Sequence, residues 1–171
     1  ARDTGGKIII PAFAIERTQE LVYYFHLLFE QRKIPEIPIY VDSPMATNAT
    51  SIFQIHPECY DEETHKAFLK HHKNPFGFNS LRFTQSVAES KHLNELEGPM
   101  IIISADGMCE AGRIVHHLYN NIEDPNTTIL LVGFMAENTL GRRLQNGEEE
   151  VKVIGEWKKV RAKIEQINAF S

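Results

Sequence analysis

Short runs of consecutive, not alternating, apolar residues constrain this chain most. Lys7-Ile-Ile-Ile-Pro-Ala-Phe13, Met100-Ile-Ile-Ile-Ser104 and Thr127 to Val132 are apolar on successive positions. A strand whose side chains are apolar on both sides must be covered on both sides, which is the condition of a parallel sheet sandwiched by helices. Between these runs the spacing changes to that of helices. Leu21, Val22, Phe25, Leu28 and Phe29 recur at helical intervals within 16–33, and Ile114, Val115, Leu118 and Ile122 do so after the second run.

The remaining elements fill in the same rhythm. Ile39 to Asp42 reads as a strand behind the breakers Pro35 and Pro38, and Ala46, Ala49, Ile52 and Phe53 mark a helical face after it. Residues 74–79 read as a loop, Leu81 to Thr84 as a short strand, and Ser86-Val-Ala-Glu89 as a capping box opening a helix to about Glu97. Residues 136–145 read as a further helix. Val151 to Ile154 and Lys159 to Ile167 suggest a hairpin around Gly155-Glu156. The expected fold is α/β: a Rossmann-like three-layer sandwich, mostly parallel, with helices on both faces and a C-terminal antiparallel hairpin.

Composition narrows the function classes. At 171 residues, 42% hydrophobic and 24% charged, the chain has the make-up of one globular domain. Its longest apolar stretch, Ile8 to Ile15, is far short of the roughly 20 residues that cross a bilayer, so no membrane role is expected. Two distant cysteines, Cys59 and Cys109, suggest no disulfide framework and fit a reducing, cytoplasmic setting. The net charge of −5 does not advertise nucleic acid, but it is uneven: residues 151–171 carry net +3, on a body that is correspondingly more acidic.

In a parallel sheet, ligands bind beyond the carboxyl ends of the strands, here Ala12-Phe13, Asp42-Ser43, Ser104 to Gly107, and Gly133. The turn after the first strand has no glycine between Pro11 and Arg17, which argues against a dinucleotide fingerprint, and no phosphate loop ending in Gly-Lys-Ser/Thr is present. None of the eight histidines falls in H-x-H-x-D-H or H-E-x-x-H. The rings of the adjacent pairs His71-His72 and His116-His117 would diverge by about 100° on a helix, so surface or half-buried histidines are expected. Cys109 reads as a small buried thiol. Two segments remain. Ser104 to Arg113 places a hydroxyl, a flexible glycine and a fresh helix N-terminus at a strand's carboxyl end, where backbone amides can meet a phosphate oxygen; a plain turn with Asp106 capping the helix is the alternative. Arg142 and Arg143 can clamp phosphates or pair with Glu148, Glu149 or Glu150.

Taken together, four ordered segments resemble the β-CASP domain of the RNA- and DNA-processing branch of the metallo-β-lactamase superfamily. They are Gly5 to Glu20, Pro38 to Ala46, Ile102 to Leu118 and Val132 to Leu144, and Ile167 to Ser171 is similar to the approach to the family's Ser-Ala-His-Ala-Asp element. The match looks closest to the bacterial and archaeal relatives of the cleavage-and-polyadenylation endonuclease. The resemblance implies that residues 1–171 form a single β-CASP domain inserted in a metallo-β-lactamase domain, capping a cleft where single-stranded RNA, or DNA, undergoes zinc-assisted phosphodiester hydrolysis.

It further implies nucleic-acid or phosphate contacts at Ser104, Gly107, Met108, Arg142 and Arg143. No zinc ligand is assigned to this chain, since the two-zinc site would belong to the partner domain; alone the chain is expected to be inactive. The other reading within the family is a non-catalytic protein-interaction scaffold in an RNA-processing complex, and a second copy of the chain is a candidate partner. Glu16, Ala111, Asn138 and Ala169 stand where the family commonly has glycine, and Asp106 where it often has serine. An inserted domain also predicts that Ala1 and Phe170 project from the same side.

Overall fold

The computed structural model describes residues 5–67 and 74–167. Six strands form one parallel sheet: β1 (Lys7–Pro11), β2 (Ile39–Asp42), β3 (Leu81–Thr84), β4 (Met100–Ser104), β5 (Thr128–Val132) and β8 (Lys163–Ile167), in the order β3-β2-β4-β1-β5-β8. The helices are α1 (Arg17–Glu30), α2 (Pro44–Ile55), the short α3 (Glu62–Ala67), α4 (Val87–Glu95), α5 (Ile114–Asn121) and α6 (Leu140–Gln145). A separate two-stranded hairpin joins β6 (Glu150–Val153) to β7 (Glu156–Lys159). This is the expected three-layer α/β sandwich.

The consecutive apolar runs sort onto two faces by the strand period of two. Ile9 aligns with Ile102, and Ile10 with Ile103, across the β1–β4 pair. Ile10, Val41, Ile101 and Ile103 pack with Leu21 and Val22 of α1 and Ala46 of α2. On the opposite face, Ile9, Ile129 and Leu131 pack with Ile114 and Leu118 of α5, Leu144 of α6, and Val151 and Val153 of the hairpin. Ile102, on that same side, meets Leu93 of α4. The buried Lys7 fastens β1 to this layer. Its ammonium donates to the carbonyls of Leu93 (3.1 Å) and Asn94 (3.0 Å), free acceptors at the end of α4. Burial lowers the pKa of Lys7, against an opposing pull from Asp124.

The order of the strands fixes where loops converge. From β1 the chain passes leftward through α1, and from β4 it passes rightward through α5, so the adjacent carboxyl ends of β1 and β4 are a topological switch point.

The structure departs from the sequence reading in three places. The hairpin's second arm is Glu156–Lys159, not Lys159 to Ile167; Lys163–Ile167 instead pairs in parallel with β5 and extends the main sheet. Of the helix expected over 136–145, only Leu140–Gln145 forms, because Thr139 caps it by accepting from Arg142 N at 3.2 Å. The capping box at Ser86 and Glu89 forms, with the helix ending at Glu95. On α2, Ala46 and Ala49 are buried but Ile52 and Phe53 are not. His71 and His72, like Ala1 and Phe170, lie outside the described residues. Because β1 and β8 run parallel, Lys7 and Ile167 stand at opposite edges of the sheet.

The β6–β7 loop is Ile154-Gly155, with φ of +50° and +84°. Two successive positive φ values are what a type I′ hairpin loop demands, and they suit Asn-Gly far better than a β-branched residue. Ile154→Asn is therefore expected to stabilise the fold by about 1 kcal/mol. A thermal melt should rise by about 2–4 °C.

Candidate nucleic-acid interface

The carboxyl edge is built around one buried carboxylate. Asp42, the last residue of β2, is fully buried. Its Oδ1 accepts from Arg113 Nη1 at 2.7 Å and from the Thr84 hydroxyl; its Oδ2 accepts from His117 Nε2 at 2.7 Å and from Ser90 Oγ at 2.5 Å. Burial would push this carboxyl up, but the bonds from His117, Ser90, Thr84 and Arg113 outweigh it and bring its pKa down to about 2. The other His117 nitrogen faces Asn94 Oδ1 at 2.9 Å, which also accepts from Asn121 at 3.0 Å. Arg113 reaches further, donating to Gln85 O at 2.6 Å. One side chain thus joins β2, β3, α4 and α5.

His117 is wholly buried, where the sequence reading expected a surface or half-buried ring. An aspartate ending an apolar strand is the signal that could have pointed to it, since a buried carboxylate needs cationic partners.

Ser104 belongs to this frame. It is 1% exposed and its hydroxyl donates to the Asp42 carbonyl at 2.8 Å. The turn beyond it lies against the β1 loop: a side chain at Gly107 would meet Phe13 N at 3.2 Å. Met108 bridges to the β5 loop, its carbonyl accepting from Gly141 N at 3.0 Å and its sulfur from Ala136 N at 3.3 Å.

The amides that such a turn can offer an anion are occupied from within. Asp106 accepts from Met108 N (2.5 Å), Glu110 N (3.0 Å) and Ala111 N (3.0 Å). It closes this turn and does not cap α5, which starts eight residues later. Cys109 is buried, and burial, with the charges of Asp106 and Glu110, holds its thiol far above the usual range.

Arg142 and Arg143 diverge around α6. Arg142 pairs with Glu137 at 2.5 Å and donates to Gln145 at 2.8 Å. Arg143 lines a cavity of about 340 Å³ with Glu110, Asn138 and Lys152. Among the described residues neither pairs with Glu148, Glu149 or Glu150.

The sequence reading did not anticipate how apolar this edge is. Phe13 and Ile15 beyond β1, Met45 beyond β2, Val87 beyond β3 and Phe134 beyond β5 are each half exposed or more. Large apolar residues set directly after strand ends, where small polar turn residues are usual, were the available signal.

The model of the Beta-Casp domain matches residues 18–144, most of the described chain. The chain belongs to the β-CASP family. It is 35% identical over 167 residues to Ribonuclease TTHA0252 of Thermus thermophilus, covering 98% of this chain and 38% of that protein. It is 30% identical to the transcription termination factor FttA of Methanosarcina mazei, covering 99% of this chain and 27% of that one. Against an RNase J-like protein of Methanocaldococcus jannaschii the identity is 30%, over 96% of this chain and 37% of the relative. The chain therefore spans well under half the length of these relatives.

Two departures from the β-CASP pattern acquire a geometry. Glu16 and Asn138, in place of common glycines, have φ of +71° and +65°. At Glu16 the amide of Arg17 donates back to Ile15 O at 3.0 Å, a strained three-residue turn at the switch point. Among the described residues no helix is long and apolar enough to cross a membrane, and no three His, Cys, Asp or Glu side chains converge to hold a metal.

The pH dependence follows from Asp42. Its folded pKa lies below the ordinary 3.8, so its stabilising contribution is complete above that value and is lost as pH falls from about 4 to about 2. Asp42→Asn leaves Arg113 and His117 facing a neutral amide and should cost about 3 kcal/mol at pH 7. Urea denaturation of both forms at pH 7 and pH 3 should show the gap narrowing in acid.

Proposed function

We propose that this chain is the nucleic-acid-binding cap of a zinc-dependent, RNA-processing nuclease, with its carboxyl edge forming one wall of the cleft. The observation that carries the reading is a convergence. The four sequence segments shared with the family are far apart in the chain, yet their loops meet at one edge, where Phe13, Ile15, Met45 and Phe134 are left uncovered. Exposed apolar residues of this density suit a covering domain and unpaired bases.

The described residues do not fit a zinc site, so no hydrolytic step is assigned to them. In this reading two zinc ions sit in an associated metallo-β-lactamase domain, and the present chain positions single-stranded RNA. Gly107 and Met108 form the floor between the β1 and β5 loops, Arg143 supplies a phosphate contact, and Arg142 a weaker one because Glu137 already holds it. Ser104 acts behind them by fixing the end of β2. Occupation of the turn amides by Asp106 favours a second reading, a protein-interaction scaffold that has no need of a phosphate there.

A titration of single-stranded RNA at several salt concentrations separates the two. For a cap, changing Arg142 and Arg143 together to Ala should weaken binding and flatten the salt slope by about 0.7 for each phosphate no longer neutralised. Arg143→Ala alone should account for most of the effect, and Ser104→Ala for little of it. An unchanged slope in a still-folded double variant would remove the arginines from the interface.

A further inference from the structure

The β6–β7 hairpin has one face in the core and one in solvent. Val151 and Val153 are buried, and Tyr119 beneath them receives Lys158 over its ring at 4.1 Å and donates to Glu156 at 2.7 Å. The register pairs Lys152 with Trp157 and Glu150 with Lys159, so these four side chains occupy the outer face. Trp157, the chain's single tryptophan, is 66% exposed there. An indole left in water forgoes the stabilisation its burial would bring.

Its neighbours suggest what covers it. Lys152 lies directly across the ladder from Trp157, and Lys159 is two residues along the same strand, about 7 Å away. Among the described residues no ion pair engages Lys152, Lys159 or Arg143. The cavity lined by Arg143 and Lys152 also reaches Cys109, Glu110 and Asn138, which belong to the carboxyl-edge loops, and Gly155 of the hairpin turn. The cavity thus carries two cationic groups, Arg143 and Lys152, beside Glu110, and Lys152 in turn stands across the ladder from the indole.

An exposed aromatic ring flanked by lysines matches the stacking platforms that hold single-stranded nucleic acid, whereas lysine is depleted from the cores of protein interfaces.

From this juxtaposition we infer that the outer hairpin face is a second contact for single-stranded RNA, where an unpaired base stacks on Trp157 and adjoining phosphates meet Lys152 and Arg143. The inference rests on the cap reading and extends its cleft past α6. Glu150, opposite Lys159, opposes an anion at that end, which makes Lys152 the lysine to test.

The chain's single indole is its own reporter. A labelled oligouridylate of about twelve nucleotides is titrated while label anisotropy and tryptophan emission are followed together. Emission is expected to be quenched in step with anisotropy. Trp157→Ala, an outer-face change that leaves the core packing intact, should weaken binding about ten-fold, and Trp157→Phe should recover most of it. Lys152→Gln should flatten the salt slope by about 0.7. Full binding with unchanged emission, and with Trp157→Ala binding as tightly as the parent, overturns the hairpin contact and leaves the cap reading standing. A Trp157→Ala change that alters only self-association in sedimentation overturns it in favour of a protein contact. Absence of any anisotropy rise removes both readings.

Discussion

The structure depends first on Asp42. A parallel sheet collects its loops at one edge but does not by itself hold them in register, because each loop belongs to a different crossover. Here a buried carboxylate takes four donors from three other elements: Thr84 of β3, Ser90 of α4, and Arg113 and His117 at the start of α5. Ser104 ties the same residue's carbonyl to β4. A buried charge is tolerable only when so fully satisfied, and once satisfied it permits little displacement of any member. The turn from Ala105 to Arg113 is therefore anchored at both ends, at Ser104 and at Arg113.

Within that frame the edge is divided by charge. The turn following β4 is closed by Asp106, and Glu110 reaches the amide of Leu140 at the head of α6. These carboxylates neutralise amide groups that another sequence could leave free for an anion. Further out, Arg143 and, on the outer hairpin face, Lys152 and Lys159 are held by no ion pair among the described residues. The division agrees with the uneven charge of the chain, acidic in its body and basic beyond residue 150.

Much of the fold was legible because its signals are local. Apolar runs with no alternation implied a two-sided parallel sheet, the Ser86–Glu89 box was visible as spelling, and β2, β3 and β4 fell on the residues expected. The C-terminal region was misread because Glu156–Lys159 and Lys163–Ile167 are both short and partly polar, and only pairing partners distinguish a hairpin arm from a sheet strand. The site was less legible. Resemblance pointed to Ser104, but which way its hydroxyl turns depends on Asp42, 62 residues away. Adjacent Arg142 and Arg143 look equivalent in sequence and are separated only by the helix turn and by Glu137.

The glycines of this edge have a bearing on how far such a sequence can drift. At residues 16 and 138 the backbone takes a positive φ without glycine, at Glu16 and Asn138, both of them solvent-exposed. Gly112 allows no such exchange. Its φ is +75°, and a methyl group there would stand 2.4 Å from the carbonyl oxygen of Ala105. That carbonyl accepts from Ile114 N and so fixes the first residue of α5, three positions ahead of His117. A variant lineage can therefore wander at the rim of the edge while the hinge beneath the buried carboxylate stays closed to every side chain, however small.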